Sequence, residues 1–64
     1  MEKKQVVELL QEALTKVKEA EDLLVQIKLY VEDWWYISRV DKALEHLYWA
    51  RREVDEVKAL FDLT

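Results

Sequence analysis

The stretch LYVEDWWYISRVD, residues 29–41, decides the fold, because two helical patterns of different phase meet in it. Before this stretch, apolar residues recur in alternating steps of three and four, as on one face of an amphipathic helix. The same spacing returns near its end and continues almost to the last residue. The first stripe comprises Val6, Leu10, Ala13, Val17, Ala20, Leu24, Ile27 and Val31, and the second Tyr36, Val40, Ala43, Leu47, Ala50, Val54, Val57 and Phe61.

The phase of the two stripes predicts a break between Val31 and Ser38. At about 100° per residue, the second stripe would lie roughly 140° around a continuous helix from the first. The shift does not match a stutter or a stammer of a coiled coil. We therefore expect an all-α fold, a two-helix antiparallel hairpin in one domain of residues 1–64, with helices at 2–31 and 34–63 and a turn near 32–33.

Two residues are candidates for the N-cap of the second helix, and they set different registers. Asp33 gives helices of nearly equal length and brings Ala13 opposite Ala50. Ser38, which begins a sequence similar to a capping box, slides the partners by one heptad, so that Ala20 faces Ala50 and the first six residues are unpaired. We prefer Asp33. In both registers, small residues at alternate positions let the two helices approach closely.

The composition limits how the chain can be stabilised. Its 64 residues are 52% hydrophobic and 38% charged, with no Cys, Gly or Pro. So short a chain buries only about 60% of its unfolded surface, and without Cys it has neither disulfides nor thiolate metal sites. Oligomerisation is the remaining means of stabilisation, and apolar residues such as Leu14 and Leu44 extend beyond the stripes. We therefore expect a homodimer in which two hairpins form a four-helix bundle.

The charge and hydropathy of the chain disfavour two classes of partner. A net charge of -4 does not favour nucleic acid. No stretch approaches the roughly 18 uncharged apolar residues that a membrane-spanning helix requires, and EKKQ after Met1 is not an apolar signal core. The sequence predicts a cytoplasmic protein without a nucleic-acid or membrane partner.

No pattern in the sequence indicates catalysis or a bound metal. His46 is the single histidine, and the residues one helical turn from it are Lys42, Ala43, Trp49 and Ala50. None of these is a carboxylate ligand. Ser38 and Thr15 have no neighbouring base, and a Gly-rich phosphate loop cannot form without glycine. We expect no enzymatic activity, no cofactor and no metal.

Arginines and aromatic residues are interleaved in YWARREVDEV, residues 48–57. Such a patch can bind an anion or stack on a base, but acidic residues follow immediately and neutralise it. Arg51 with Asp55 and Arg52 with Glu56 have the i,i+4 spacing of ion pairs within a helix. Intrahelical pairing is therefore the prediction for both arginines.

The aromatic cluster of the opening stretch indicates a protein contact. Trp34, Trp35 and Tyr36 point in directions about 100° apart on a helix, so they cannot all face one ligand. We expect Tyr36 to enter the seam between the helices, one tryptophan to cover the hairpin tip and the other to support a dimer contact. Tryptophan and tyrosine are enriched at interface hot spots. The predicted residues of self-association or partner binding are Tyr30, Trp35, Trp49 and Leu60.

The predicted function is that of a non-catalytic interaction or assembly module. It self-associates or binds another helical protein through its aromatic-rich helix face. The alternative is a helical bundle, natural or designed, that holds a small apolar ligand or a metal in its core. A bound chromophore or metal in the purified protein would distinguish the second function from the first.

Overall fold

The computed structural model describes residues 2–63, which form two helices that pack against each other. Helix α1 is Lys3–Tyr30 and helix α2 is Trp34–Leu63. The prediction of an all-helical fold is confirmed. Helix α1 is one residue shorter at each end than the expected 2–31, because Glu2 and Val31 have extended backbone conformations and cap it.

The two helices run in opposite directions. At one end of the molecule, the Lys3 ammonium donates a hydrogen bond to the carbonyl of Asp62 at 3.5 Å. Towards the other end, Lys28 and Asp41 form an ion pair. The longest dimension is 47 Å, close to the length of a single helix of 30 residues. The helices therefore overlap over most of their length, and the first turn of α1 is not left unpaired.

Asp33 forms the corner of the hairpin. Its carboxylate oxygen accepts a hydrogen bond from the Trp35 N–H at 2.8 Å, and its carbonyl accepts one from the Ile37 N–H at 3.1 Å. This is the geometry of an N-cap, whereas Ser38 lies inside α2. The preferred corner is therefore confirmed. No residue between 2 and 63 has a positive φ, so this corner closes without glycine.

The residues that α1 and α2 turn towards each other follow a heptad pattern, and we call them the contact face. All are half-buried. In α1 and its C-cap they are Val7, Leu10, Leu14, Val17, Glu21, Leu24, Lys28 and Val31, and in α2 they are Ile37, Val40, Leu44, Leu47, Arg51, Val54, Lys58 and Phe61.

Half of the residues of the predicted stripes lie outside the contact face, namely Val6, Ala13, Ala20, Ile27, Tyr36, Ala43, Ala50 and Val57. Ile27 and Val57 are exposed, and Tyr36, which was expected to enter the seam, is 56% exposed. The contact face is rotated by one residue, so that Leu14 and Leu44 occupy positions where the predicted stripes had alanine. The same rotation places Glu21 and Arg51, which form an ion pair between the helices, where the predicted stripes had the other two alanines.

A shift of 30 residues relates the two halves of the hairpin. Each half-buried position of α1 from Val7 onward corresponds to a half-buried position 30 residues later. The polar contacts follow the same relation, because Lys28 pairs with Asp41 and Lys58 donates a hydrogen bond to the side chain of Gln11 at 2.8 Å. The hairpin thus has an approximate internal two-fold symmetry.

An ion pair lies in the middle of the contact face. The Nε of Arg51 is 3.2 Å from Oε1 of Glu21, and their side chains are 33% and 18% exposed. Arg51 thus pairs with α1 and not with Asp55, the partner predicted within its own helix. The half-buried pair separates the apolar residues near the hairpin tip from those near the termini.

Replacing both members of this pair by leucine should stabilise the hairpin. We expect the double variant Glu21→Leu/Arg51→Leu to raise the free energy of unfolding by about 1 kcal/mol or more, because two partly desolvated charges are replaced by apolar packing. Glu21→Leu alone should lower it, since Arg51 loses its partner. Urea unfolding followed by circular dichroism at one protein concentration measures both.

The control for this experiment is Glu12→Gln, which removes the charge of an exposed partner of Lys16. Glu12 and Lys16 form an i,i+4 pair at 3.9 Å on the surface, where such pairs contribute about 0.5 kcal/mol or less. A double leucine variant less stable than the wild type would show that the Glu21–Arg51 pair stabilises the fold.

Removing the N-cap of α2 should destabilise the hairpin. We expect Asp33→Ala to lower the free energy of unfolding by about 1 kcal/mol, because the Trp35 N–H loses its acceptor. Asp33→Ser keeps an acceptor oxygen and should retain most of the stability. Equal losses in the two variants would show that the charge of Asp33, and not the hydrogen bond, stabilises the corner.

Candidate interaction surface

The hairpin leaves large apolar side chains in contact with solvent. No residue between 2 and 63 is buried. A large exposed apolar surface in a small protein usually marks an interaction site. The exposed large apolar residues are Leu9, Leu23, Val25, Ile27, Leu29, Tyr30, Trp34, Trp35, Tyr36, Tyr48, Trp49, Val57, Leu60 and Leu63.

The four residues predicted for partner binding are all exposed, but they do not form one patch. Tyr30, at 85% exposed, ends α1 at the hairpin tip, and Leu60, at 63%, lies in α2 near the opposite end. Trp35 and Trp49 are 53% and 54% exposed. They lie on the outer side of α2, about 21 Å apart along the helix. The predicted residues therefore extend over most of the length of the molecule.

Arginines contact both of these tryptophans within the chain. The Arg39 guanidinium lies 5.0 Å from the centre of the Trp35 ring, and Trp35 also packs edge-to-face with Tyr36 at 4.9 Å. The Arg52 guanidinium is 5.7 Å from the Trp49 ring. Each such contact is worth about 0.5–1 kcal/mol at an exposed site. Both rings remain half exposed beside a positive charge.

Tyr48 contacts two arginines of its own helix, because the guanidinium groups of Arg51 and Arg52 both lie over its ring. Its hydroxyl oxygen accepts a hydrogen bond from Arg52 at 3.2 Å, in place of the ion pair with Glu56 that was predicted for Arg52. This hydrogen bond and the charge interaction with Tyr48 raise the pKa of Arg52 above its ordinary value. Arginine is protonated at any ordinary pH, so the Arg52 side chain beside Trp49 is a cation.

A second apolar stripe on each helix defines one broad side of the hairpin, which we call the alanine face. Each of its residues comes one position before a residue of the contact face, so both helices present it on the same side. Its residues are Val6, Leu9, Ala13, Lys16, Ala20, Leu23, Ile27 and Tyr30 of α1, and Tyr36, Arg39, Ala43, His46, Ala50, Glu53, Val57 and Leu60 of α2.

The four alanines of this face and Val6 are half-buried, whereas the other apolar residues of the face are exposed. The opposite broad side is mainly polar, with Val25, Leu29 and Tyr48 as its exposed large apolar residues. It carries the bonds of Lys28 with Asp41 and of Lys58 with Gln11. The two broad sides of the hairpin therefore differ in polarity. Sequence reasoning did not recognise this face. On each helix the residues of the alanine face also recur in steps of three and four, and this spacing is the signal that could have revealed the face.

The concavities of this surface are shallow and open to solvent. One, of about 520 Å³, is lined by Leu23, Gln26, Ile27, Tyr30 and Val31. A second, of about 260 Å³, is lined by Glu45, His46, Trp49, Ala50 and Glu53. Among residues 2–63, no three His, Asp or Glu side chains are grouped so that they could hold a metal ion. Open, shallow surfaces of this kind suit a protein partner better than an enclosed small molecule.

Comparisons of the chain with protein-family models, with curated proteins and with solved structures find no match. Function therefore has to be argued from the surface of the hairpin. Within residues 2–63, neither helix has the combination of length and hydropathy that crossing a membrane requires.

Proposed function

We propose that this protein is a non-catalytic helical interaction and assembly module, which covers its exposed apolar side chains by packing against another helical surface. The observation that carries the proposal is the absence of any buried residue between 2 and 63, beside a broad side rich in alanine and larger apolar residues. Removal of apolar surface from water is the dominant favourable term in such association.

Self-association is the simplest form of this function. A second hairpin offers the same alanines for close helix packing and the same apolar side chains around them, and two hairpins make a four-helix bundle. A standard interface buries about 800 Å² on each partner. That is roughly one seventh of the 5357 Å² of accessible surface of the hairpin, so one broad side is enough.

The predicted partner-binding residues have defined places in this proposal. Tyr30 and Leu60 belong to the alanine face, near its two ends. Trp35 and Trp49 lie beside that face on α2, where a partner helix would cover part of each ring. Aromatic residues in such positions often provide most of the binding energy of an interface.

The mass of the protein in solution tests self-association. Light scattering after size exclusion should give about 15.6 kDa, twice the chain mass of 7.8 kDa, and this mass should persist on dilution. A mass of 7.8 kDa at every concentration would rule out the homodimer and leave a different helical protein as the partner. A metal or chromophore in stoichiometric amount, found by elemental analysis or an absorbance scan, would favour the ligand-holding bundle instead.

Truncation of one tryptophan tests the contribution of α2 to the interface. We expect Trp49→Ala to weaken association by about 2 kcal/mol, or roughly 30-fold, because a hot-spot aromatic loses its contacts. Trp34→Ala is the matched control, since Trp34 is highly exposed at the hairpin tip. Analytical ultracentrifugation measures both dissociation constants. An unchanged constant for Trp49→Ala would place Trp49 outside the interface.

A further inference from the structure

Four polar contacts between α1 and α2 set the relative heights of their residues. They join Lys3 to Asp62, Gln11 to Lys58, Glu21 to Arg51, and Lys28 to Asp41. The residue numbers of each pair add to between 65 and 72, and to 69 in two of the pairs. A residue i of α1 therefore lies level with about residue 69 − i of α2.

In this register the alanine-face residues of α1 lie level with those of α2, within about one position. Ala20 and Ala50 are level near the middle of the hairpin, and Lys16 is level with Glu53. The other level pairs are Leu9 with Leu60, Ala13 with Val57, Leu23 with His46, Ile27 with Ala43, and Tyr30 with Arg39. The two stripes are thus complementary in size and, at Lys16 and Glu53, in charge.

A two-fold axis parallel to the helices would exploit this complementarity. Rotation about such an axis moves no residue along it, so every residue of the second copy keeps its height. The rotation places α1 of one hairpin over α2 of the other, and these helices are antiparallel, as within one hairpin. The register between the two copies is therefore not free, because it equals the register within each hairpin.

We propose that two hairpins dimerise through their alanine faces about a two-fold axis parallel to the helices, so that α1 packs antiparallel to α2 of the second copy. Lys16 then meets the partner's Glu53, and Ala20 meets the partner's Ala50. The two hairpin tips lie at the same end of the bundle. This inference rests on the proposed self-association and specifies its geometry.

The direction of the alanine face suits a bundle of this kind. It precedes the contact face by one residue, so it is turned about 100° from the neighbouring helix of the same hairpin. A helix that covers this face completes a nearly square array of four helices.

Side-chain sizes alternate along the proposed contact between α1 and the partner's α2. Beside the central alanines, Ala13 faces the partner's Val57, and Ile27 faces the partner's Ala43. Within one hairpin Ile27 and Val57 are 43% and 42% exposed. Each branched side chain thus gains cover from a helix that an alanine allows to approach closely.

The charged residues of the alanine face obtain partners in this arrangement. Symmetry gives two ion pairs of Lys16 with Glu53, one on each side of the axis. Arg39 faces the partner's Tyr30, whose ring is 85% exposed and can accept a cation. Among residues 2–63, neither Arg39 nor Glu53 takes part in an ion pair, and Lys16 pairs only with the exposed Glu12 at 3.9 Å.

An axis perpendicular to the helices fits less well. It packs α1 on α1 of the second copy, and at mid-height it brings Lys16 opposite Leu23. Moved towards the termini until Leu9 meets Leu23, it places Lys16 opposite the same residue of the partner. Moved towards the tip until Arg39 meets Glu53, it slides the hairpins by roughly 10 Å and uncovers about a fifth of their 47 Å length. Charges opposite apolar groups or like charges disfavour the first two positions.

The size and relief of the face also fit a second copy. The Cα positions of the hairpin span 47 by 14 Å, about 660 Å² in projection, similar to the roughly 800 Å² that a standard interface buries on each partner. The concavity lined in part by His46, Ala50 and Glu53 lies level with the partner's residues 16–23. Its glutamate is placed to receive the partner's Lys16.

Charge reversal at Lys16 and Glu53 tests the geometry. Lys16→Glu and Glu53→Lys should each weaken the homodimer about tenfold or more, since each places two like-charged pairs between the chains. An equimolar mixture of the two variants should form a heterodimer within about threefold of the wild-type affinity, because both cross-chain pairs are again of opposite charge. Loss of the Glu12–Lys16 pair affects the Lys16→Glu chain whether or not it is mixed. Sedimentation equilibrium measures the three constants.

The matched controls are Lys18→Glu and Asp55→Lys, which make the same charge changes on the opposite broad side of the hairpin. Each control variant, and their equimolar mixture, should associate within about threefold of the wild type. This result would exclude net charge as the cause of the main effect. Circular dichroism of all variants checks that the helices are retained, which separates loss of association from loss of fold.

The remaining outcomes would overturn the inference in distinguishable ways. If the variants and the wild type dimerise equally well, self-association stands but uses another surface or axis. If both variants are weakened and their mixture is not restored, Lys16 and Glu53 do not pair across the chains, and the parallel axis is wrong. If the wild type is monomeric throughout, both the homodimer and this geometry fail, and the alanine face is left for a different helical protein.

Discussion

Two helices packed side by side cannot enclose an apolar side chain, because each residue of their contact remains open to solvent on at least one flank. This geometric limit explains why no residue between 2 and 63 is buried although 52% of the chain is hydrophobic. The hairpin therefore forms only part of an apolar core. Its stability and its interactions both depend on covering the side that the second helix cannot reach.

The two broad sides of the hairpin divide these roles. One side is polar and joins the helices through long side chains, as in the bonds of Lys28 with Asp41 and of Lys58 with Gln11. The other side has alanines at its centre and larger apolar residues around them. A partner helix can approach closely over the alanines. The difference between the two sides, more than any single aromatic residue, determines which side of the hairpin a partner helix covers.

The Glu21–Arg51 pair shows how the internal symmetry acts on the fold. The two residues occupy corresponding positions of the 30-residue relation, and there the chain has opposite charges in place of two apolar residues. Any register that separated them would leave charged groups packed between helices without a partner. The pair thus favours one alignment of the helices at some cost in apolar burial.

The sequence by itself determined the two helices and their corner, because these depend on local features: the phase of the apolar stripes and the capping oxygen of Asp33, which binds a backbone N–H two residues away. Which stripe faces the partner helix was decided by the tertiary structure. Each helix carries two stripes of equal spacing, one residue apart, so periodicity cannot choose between them, and the assignment of Ile27, Tyr36 and Val57 to the seam was wrong. The choice depends on the apolar area that both helices bury together and on contacts between residues far apart in the chain.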